Sequence, residues 1–190
     1  MGGRPAVRAR SAQDWLDYLD RLEPGLRSRV VEAMPEASRR IILEAPKTEW
    51  IELEHDRYVP WATIEVMGED AAVAGWRSFL KSHVEAPLFK TLVDSMVRLF
   101  GLTPSTFAKL LPRAWNQSYR DCCEVKVMDA GDSHAHVAFL NVAPGIMEWD
   151  PYPISWRGVL LGAYEISGFE GEVEMSVNRE LSRIDAHWNW

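Results

Sequence analysis

The residues whose types could do chemistry are five histidines, two cysteines and a scatter of acids, and few of them stand in a pattern that a reaction requires. His134 and His136 are two apart in a stretch that alternates polar and apolar residues, so on a strand both imidazoles fall on one face. Glu124 and His187 are expected on that same outer face, and imidazoles with a carboxylate make a donor set that zinc accepts. Against a metal site, a hairpin symmetric about Gly131 puts Lys126 opposite His136, where an ammonium repels a divalent cation. The expectation is therefore solvated surface histidines without zinc, with a metal-dependent protein using His134, His136 and Glu124 as the second alternative. His55-Asp56 has the composition of a base and its orienter, but chain neighbours seldom bond productively and no motif marks a Ser or Cys nucleophile. Cys122 and Cys123 point to opposite faces of a strand, which prevents a bridge, and Asp121 and Glu124 disfavour a thiolate, so both read as reduced structural thiols. His83, close to the end of an apolar helix, reads as a cation that complements the helix dipole. No reaction is dictated, and the expected reading is not an enzyme.

Aromatic content is the more informative excess. Nine tryptophans are present, and Trp61, Trp76, Trp115, Trp156, Trp188 and Trp190 fall on expected inner faces. Such rings fill a core or line a cavity for a flat apolar ligand. The candidate pocket, at the helix–sheet interface, is Trp115, Tyr119, Trp156, Tyr164 and Trp188. The loop from Pro144 to Pro153 carries Ile146, Met147, Trp149 and Tyr152, residues costly to leave in water, so it is expected either to cover such a cavity or to dock a protein partner.

The chain has 190 residues, 47% of them hydrophobic, and a net charge of −7. That length suits one domain. Its apolar runs fall short of the roughly 18 residues that span a bilayer. The acidic balance lies mostly beyond Ala45, and no Lys/Arg stripe is interleaved with aromatics, so a phosphate backbone is not an expected partner. Arg4, Arg8 and Arg10 precede no apolar signal segment, and a cytoplasmic location is expected. A small hydrophobic ligand or a protein partner, including a second copy in a homodimer, fits this balance.

The elements that must position these residues follow from periodicity. Residues 1–10 read as a flexible arm and residues 11–190 as a single α+β domain. Ser11 is a candidate cap for a helix bearing Trp15, Leu19 and Leu22, and Glu23-Pro24-Gly25 ends it. Leu26, Val30 and Met34 share one face of a second helix, and a third runs between Pro35 and Pro46. Trp50 to Leu53 suits a short strand, Pro60-Trp61 opens a helix that Gly68 stops, and Asp70 to His83 is helical. Leu88 to Phe100 is apolar nearly all round, as in an enclosed helix. Phe107, Leu110, Leu111, Ala114, Trp115 and Tyr119 mark one more. From Asp121 the period becomes two, giving a hairpin with Val125 opposite Val137 and Glu124 opposite Ala138. A helix from Ile154 to Ser167 and a second hairpin follow, with Val173, Met175, Val177, Ile184, Ala186, Trp188 and Trp190 inward. Gly158-x-x-x-Gly162 reads as close packing of that helix on the sheet, not as a phosphate loop. Residues 11–119 are thus mainly helical and 120–190 ββαββ, an antiparallel four-stranded sheet covered by helices on one face.

This order of parts resembles an uncharacterised bacterial paralogous family related to the 4-vinyl-reductase-like domains, in the superfamily that includes haem-NO-binding domains and eukaryotic trafficking-complex subunits. The residues that carry it run from Leu88 to Trp190: the paired helices Leu88–Phe100 and Pro104–Tyr119, Leu111-Pro112-Arg113-Ala114-Trp115, the hairpin, Gly158-Val159-Leu160-Leu161-Gly162, and Arg183-Ile184-Asp185-Ala186-His187-Trp188. The resemblance implies a regulatory or sensory module that binds a small hydrophobic or aromatic ligand without catalysis. The chain departs from the haem-binding pattern. Where those domains carry a helical axial histidine and Tyr-x-Ser-x-Arg, this sequence has Ser118-Tyr119-Arg120, so haem is not expected. The 4-vinyl-reductase-like domains commonly carry Cys and His positions suggestive of metal, and only Cys122-Cys123 stands here.

Overall fold

Ala6–Arg8 forms a strand, β1, and the expected flexible arm is not observed in the computed structural model, which describes residues 3–84 and 103–190. β1 is the middle strand of a three-stranded antiparallel sheet, between β2 (Trp50–Glu52) and β3 (Tyr119–Arg120), with Ala6 and Val7 buried. Pairing on both edges satisfies its backbone, but both partners are remote in sequence and no local signal announces them.

β1 runs directly into α1 (Ala9–Leu22), which starts before Ser11 and has no side-chain cap. The Ala9 and Arg10 N–H groups of its first turn donate instead to the carbonyls of Glu49 and Lys47, so neighbouring backbone replaces the expected serine. Helices α2 (Leu26–Ala33) and α3 (Glu36–Glu44) follow the prolines and the apolar spacing. The buried Gln13 amide ties α1 to α3 by donating to the Ile42 and Ala45 carbonyls at 2.7 and 2.8 Å. After α4 (Leu53–Asp56), α5 (Tyr58–Met67) ends at Gly68, whose positive φ of 79° with an extended ψ of 158° suits glycine and is not the expected αL stop, and α6 (Glu69–Val84) follows. The helix expected over Leu88–Phe100 lies outside the described residues. Thr103 caps α7 (Pro104–Ser118), its hydroxyl accepting from the Thr106 N–H.

The period-two segment gives β4 (Glu124–Ala130) and β5 (His134–Leu140). A one-turn helix, α8 (Pro144–Met147), precedes α9 (Pro151–Ser167), β6 (Glu172–Asn178) and β7 (Arg183–Asn189). The four long strands make an antiparallel sheet in the order β4-β5-β7-β6, the expected ββαββ unit. Ala135, Val137, Phe139, Ile184, Ala186 and Trp188 face inward and are buried, and α7 and α9 pack on that side. Among the described residues no helix is long and apolar enough to cross a membrane.

The hairpin register differs from the symmetric one. Val125 pairs with Phe139, Glu124 with Leu140 and Lys126 with Ala138, and the ladder then slips at a bulge between Val127 and Asp129. Beyond it Asp129, not Lys126, lies opposite His136. An extra residue on one strand shifts every later pair by one, which symmetry about a glycine cannot anticipate.

The glycine pair of α9 meets a helix, not the sheet. A Cβ on Gly158 would lie 2.7 Å from the Trp76 Cβ and 3.0 Å from the Val73 carbonyl oxygen, and one on Gly162 would lie 2.7 Å from both the Arg77 carbonyl oxygen and the Leu80 Cβ. Only bare backbone allows α9 and α6 to approach so closely. Gly162→Ala is therefore expected to cost about 1–3 kcal/mol by overpacking, read as a lower urea midpoint. An unchanged midpoint would mean that α6 moves aside freely.

Candidate functional site

Helix α7 carries Trp115 inward, and the chain straightens into β3 one turn later, which lays Tyr119 flat on it at 3.9 Å between centroids and 10° between planes. Helix α9 brings Trp156 edge-on to Trp115 at 4.6 Å, and β5 brings Phe139 to 5.0 and 4.9 Å from the two indoles. Three of the five expected pocket residues thus share one aromatic seam between helices and sheet. Tyr164 and Trp188 form a separate pair at 6.3 Å, about two turns further along α9. The Tyr164 hydroxyl donates to the Glu172 carbonyl at 2.9 Å, which anchors β6 to the helix.

The seam is apolar in surface but not in demand. The indole N–H groups of Trp115, Trp156 and Trp188 are fully buried without a hydrogen-bond partner among the described residues. The acceptors nearest to two of them are the Tyr119 hydroxyl for Trp156 and the Cys123 sulfur for Trp115, each at best a weak contact. A buried donor left unpaired costs about 1–3 kcal/mol, so such groups in a native core need an explanation.

Beside the seam is a residue that the sequence offered only as an orienter for His55. Asp56 ends α4 at 5% exposure, and its Oδ2 accepts from the Tyr152 hydroxyl at 2.8 Å. Burial pushes its carboxyl up from 3.8 to about 6, against the smaller opposing pull of the Tyr152 bond. Burial also raises the Tyr119 and Tyr152 hydroxyls, moves the Cys122 thiol to about 12 and raises Cys123 further. The Cys122 sulfur donates to the Ala6 and Arg120 carbonyls, so it clips β1 to the chain after β3 and is not poised as a nucleophile. His55 turns away from Asp56, its Nδ1 lying 3.2 Å from the Ser38 hydroxyl, so the two are not a catalytic pair. No sequence signal marks the Asp56–Tyr152 pair, whose members lie 96 residues apart.

Two other expectations are corrected by placement. The loop residues Ile146, Met147 and Tyr152 are buried, and Trp149 donates to the Arg57 carbonyl at 3.1 Å with its ring 4.7 Å from the Arg57 guanidinium. These side chains are folded inward and do not form an exposed docking surface; Arg179 fastens the turn through the Met147 carbonyl and the Asp150 carboxylate. The set His134, His136 and Glu124 is not assembled either. His134 binds Asp129 at 2.7 Å, Glu124 pairs with Lys126 at 3.0 Å at the far end of the hairpin, and His136 turns to Asp185.

No protein-family model and no curated protein matches the sequence. Solved structures do match its fold. An oxygen-binding H-NOX domain related to soluble guanylate cyclases, in its oxygen complex, aligns with a TM-score of 0.63 at 12% identity, covering 96% of this chain and 94% of that one. The Fe(II) unliganded H-NOX protein from K. algicida gives 0.64 at 8%, covering 96% and 95%, and a mutant of T. tengcongensis H-NOX gives 0.61 at 14%, covering 96% of each. The likeness of fold therefore takes in the N-terminal helices as well as the later part of the chain.

These neighbours overturn the expectation that haem is foreign to this chain. That expectation rested on a missing motif, whereas nearly the whole chain follows a fold in which other solved proteins are described by heme distortion and heme redox potential. On the residues themselves, Trp115, Tyr119 and Trp156 supply aromatic walls for a flat macrocycle. An axial donor to iron is also required. Among the described side chains no imidazole faces the seam: His55 binds Ser38, and His134, His136 and His187 lie on the outer face of the sheet. His83, on the last turn of α6, is the remaining histidine, and its side chain lies outside the described residues.

The buried acid gives a prediction with a definite sign. Because folding raises the Asp56 pKa from 3.8 to about 6, the folded state keeps a proton there that the unfolded chain has lost. Stability therefore falls as pH rises through that interval, and the deficit persists above it. Asp56→Asn keeps an acceptor for Tyr152 and removes the charge. It is expected to stabilise the protein at pH 7.5 by up to about 3 kcal/mol, with a gain that vanishes toward pH 4 in thermal melts. An equal shift at both pH values would detach the effect from the carboxylate.

Proposed function

We propose that this chain is a sensory domain that binds a flat, largely apolar small molecule along the seam of Trp115, Tyr119 and Trp156, with Tyr164 and Trp188 towards its far end. Haem is the first ligand to try. The observation that carries the reading is the contact of three aromatic rings, Trp115, Tyr119 and Trp156, at one seam, with two indole N–H groups that make no well-formed hydrogen bond among the described residues. A ligand with acceptor atoms along its edge satisfies both and recovers their desolvation cost. The fold of the solved neighbours, which spans nearly the whole chain, supports the same reading.

In this proposal the side chains bind and orient; they do not react. Trp115 and Trp156 offer faces for stacking and N–H groups for an acceptor, and Tyr119 buttresses Trp115 from behind. The one-turn helix α8 and the Trp149–Arg57 contact exclude water from the flank where Tyr152 approaches Trp156. Absence of a catalytic role is supported by the thiols and phenols beside the seam, which burial holds protonated. Haem, when bound, would supply an iron with a site for a small diatomic ligand, and no histidine among the described side chains is placed to hold it.

The test uses the purified chain titrated with haem and, separately, with a metal-free porphyrin. Both are expected to quench tryptophan fluorescence with saturation near one per chain, and Trp156→Ala is expected to weaken both at least tenfold. Quenching by neither macrocycle would overturn the seam as a ligand site. Porphyrin binding without haem binding would keep the seam and remove haem as its ligand.

A further inference from the structure

The bulge in β4 rebuilds the outer face of the sheet. It moves Lys126 beside Ala138, where its ammonium pairs with Glu124, and brings Asp129 opposite His136. His136 is in register with His187 on β7, and His187 with Glu174 on β6. A single row, Asp129–His136–His187–Glu174, thus crosses all four strands and contains no cation. The imidazoles of His136 and His187 lie face to face, 4.3 Å between centroids and 20° between planes. Two residues before His187 on the same face, Asp185 places its Oδ1 2.5 Å from the His136 Nε2. One donor atom from each of His136, Asp185 and His187 falls within 4.8 Å of the others.

We infer that His136, Asp185 and His187 form a site for one divalent transition-metal ion of the zinc type, on the face of the sheet opposite the aromatic seam. Two nitrogen donors and one carboxylate oxygen suit zinc, nickel or copper and not calcium or magnesium, which require oxygen. Bonds of about 2.0–2.1 Å in tetrahedral geometry set donors about 3.3 Å apart, which small side-chain rotations reach from the present spacing. The ion takes the place of the hydrogen bond between His136 Nε2 and Asp185 Oδ1, and the neutral ring carries its proton on Nδ1 instead.

The surroundings prepare the donors. Arg183 grips Asp185 with Nε on Oδ2 at 2.7 Å and Nη2 on Oδ1 at 2.6 Å. Burial alone would raise the Asp185 carboxyl, but the bonds from Arg183 and His136 hold it below its ordinary value, ionised and available. The Nε–Oδ2 bond fixes the carboxylate plane and leaves Oδ1 to turn from Nη2 to the ion, in the manner of an outer-shell partner. His136 and Asp185 are partly shielded, at 25% and 14% side-chain exposure, whereas His187 is open and leaves the fourth position to water. Because the donors alternate with the buried Ala135, Val137, Ala186 and Trp188, the ion clips β5 to β7 without entering the core.

The test is calorimetric titration of the full chain with zinc chloride at pH 7.5. Expected is one ion per chain at micromolar affinity. His187→Asn, at an exposed position, is expected to weaken binding at least tenfold. His134→Asn, two residues from His136 on the same face, is expected to change it less than twofold. Thermal melting gives an independent reading: zinc raises the midpoint of the parent chain and leaves that of His187→Asn unchanged. Affinity no tighter than millimolar, or equal losses in the two variants, would overturn the site.

Discussion

The close crossing of α6 and α9 is the constraint on which the rest of the molecule depends. Where Gly158 and Gly162 meet the backbone of α6, the two helices approach without intervening side chains, and each then faces a different core. Towards the N-terminal helices, Trp76 on α6 lies 5.3 Å from Trp15, whose indole donates to Thr63 at 3.0 Å. Towards the sheet, α9 extends Tyr152, Trp156 and Tyr164 into the second core. One helix pair therefore acts as a common wall, and the depth to which α9 sits on α6 sets how far its aromatics reach toward β5 and β7.

That geometry explains why polarity is concentrated next to the seam. Aromatic rings fill space cheaply, but each indole brings a donor, and three of these N–H groups find no acceptor among the described residues. Asp56 adds an acid supported by one tyrosine hydroxyl. A core selected for stability alone would hold leucine or phenylalanine at such places. Local rules broken without local compensation are the usual mark of a site that answers to something besides folding. The outer face of the sheet shows the opposite arrangement, with each polar group of the Arg183–Asp185–His136 chain matched to a neighbour.

The legible parts of this fold are those in which physics acts over short sequence distances. Proline and four-residue apolar spacing located α2 and α3, Gly68 located the end of α5, and strict alternation located β4 to β7 and the buried faces of β5, β6 and β7. What was misread depends on distant partners. Ser11 is a good cap in isolation, but backbone carbonyls of Lys47 and Glu49 had already claimed the donors. The bulge at Met128 arises from how two strands and a turn reconcile their twist, and it reverses the electrostatic argument at His136. Of the candidate pocket, Trp115, Tyr119 and Trp156 were visible as inward aromatics, whereas Asp56 and Tyr152 become a pair only when α4 and α9 are both in place.

The central position of β1 has a consequence for the order in which the protein is made. Its strand is made well before Tyr119 and Arg120, with which one of its two edges pairs. Until those residues emerge, that edge of Ala6 and Val7 is bare and apolar, the kind of surface that recruits the wrong strand. The β1–β2 ladder can close early, because β2 is complete by Glu52, and it then waits for β3 across a much longer loop. Completion of this small sheet thus follows synthesis of the helices that lie between β1 and β3.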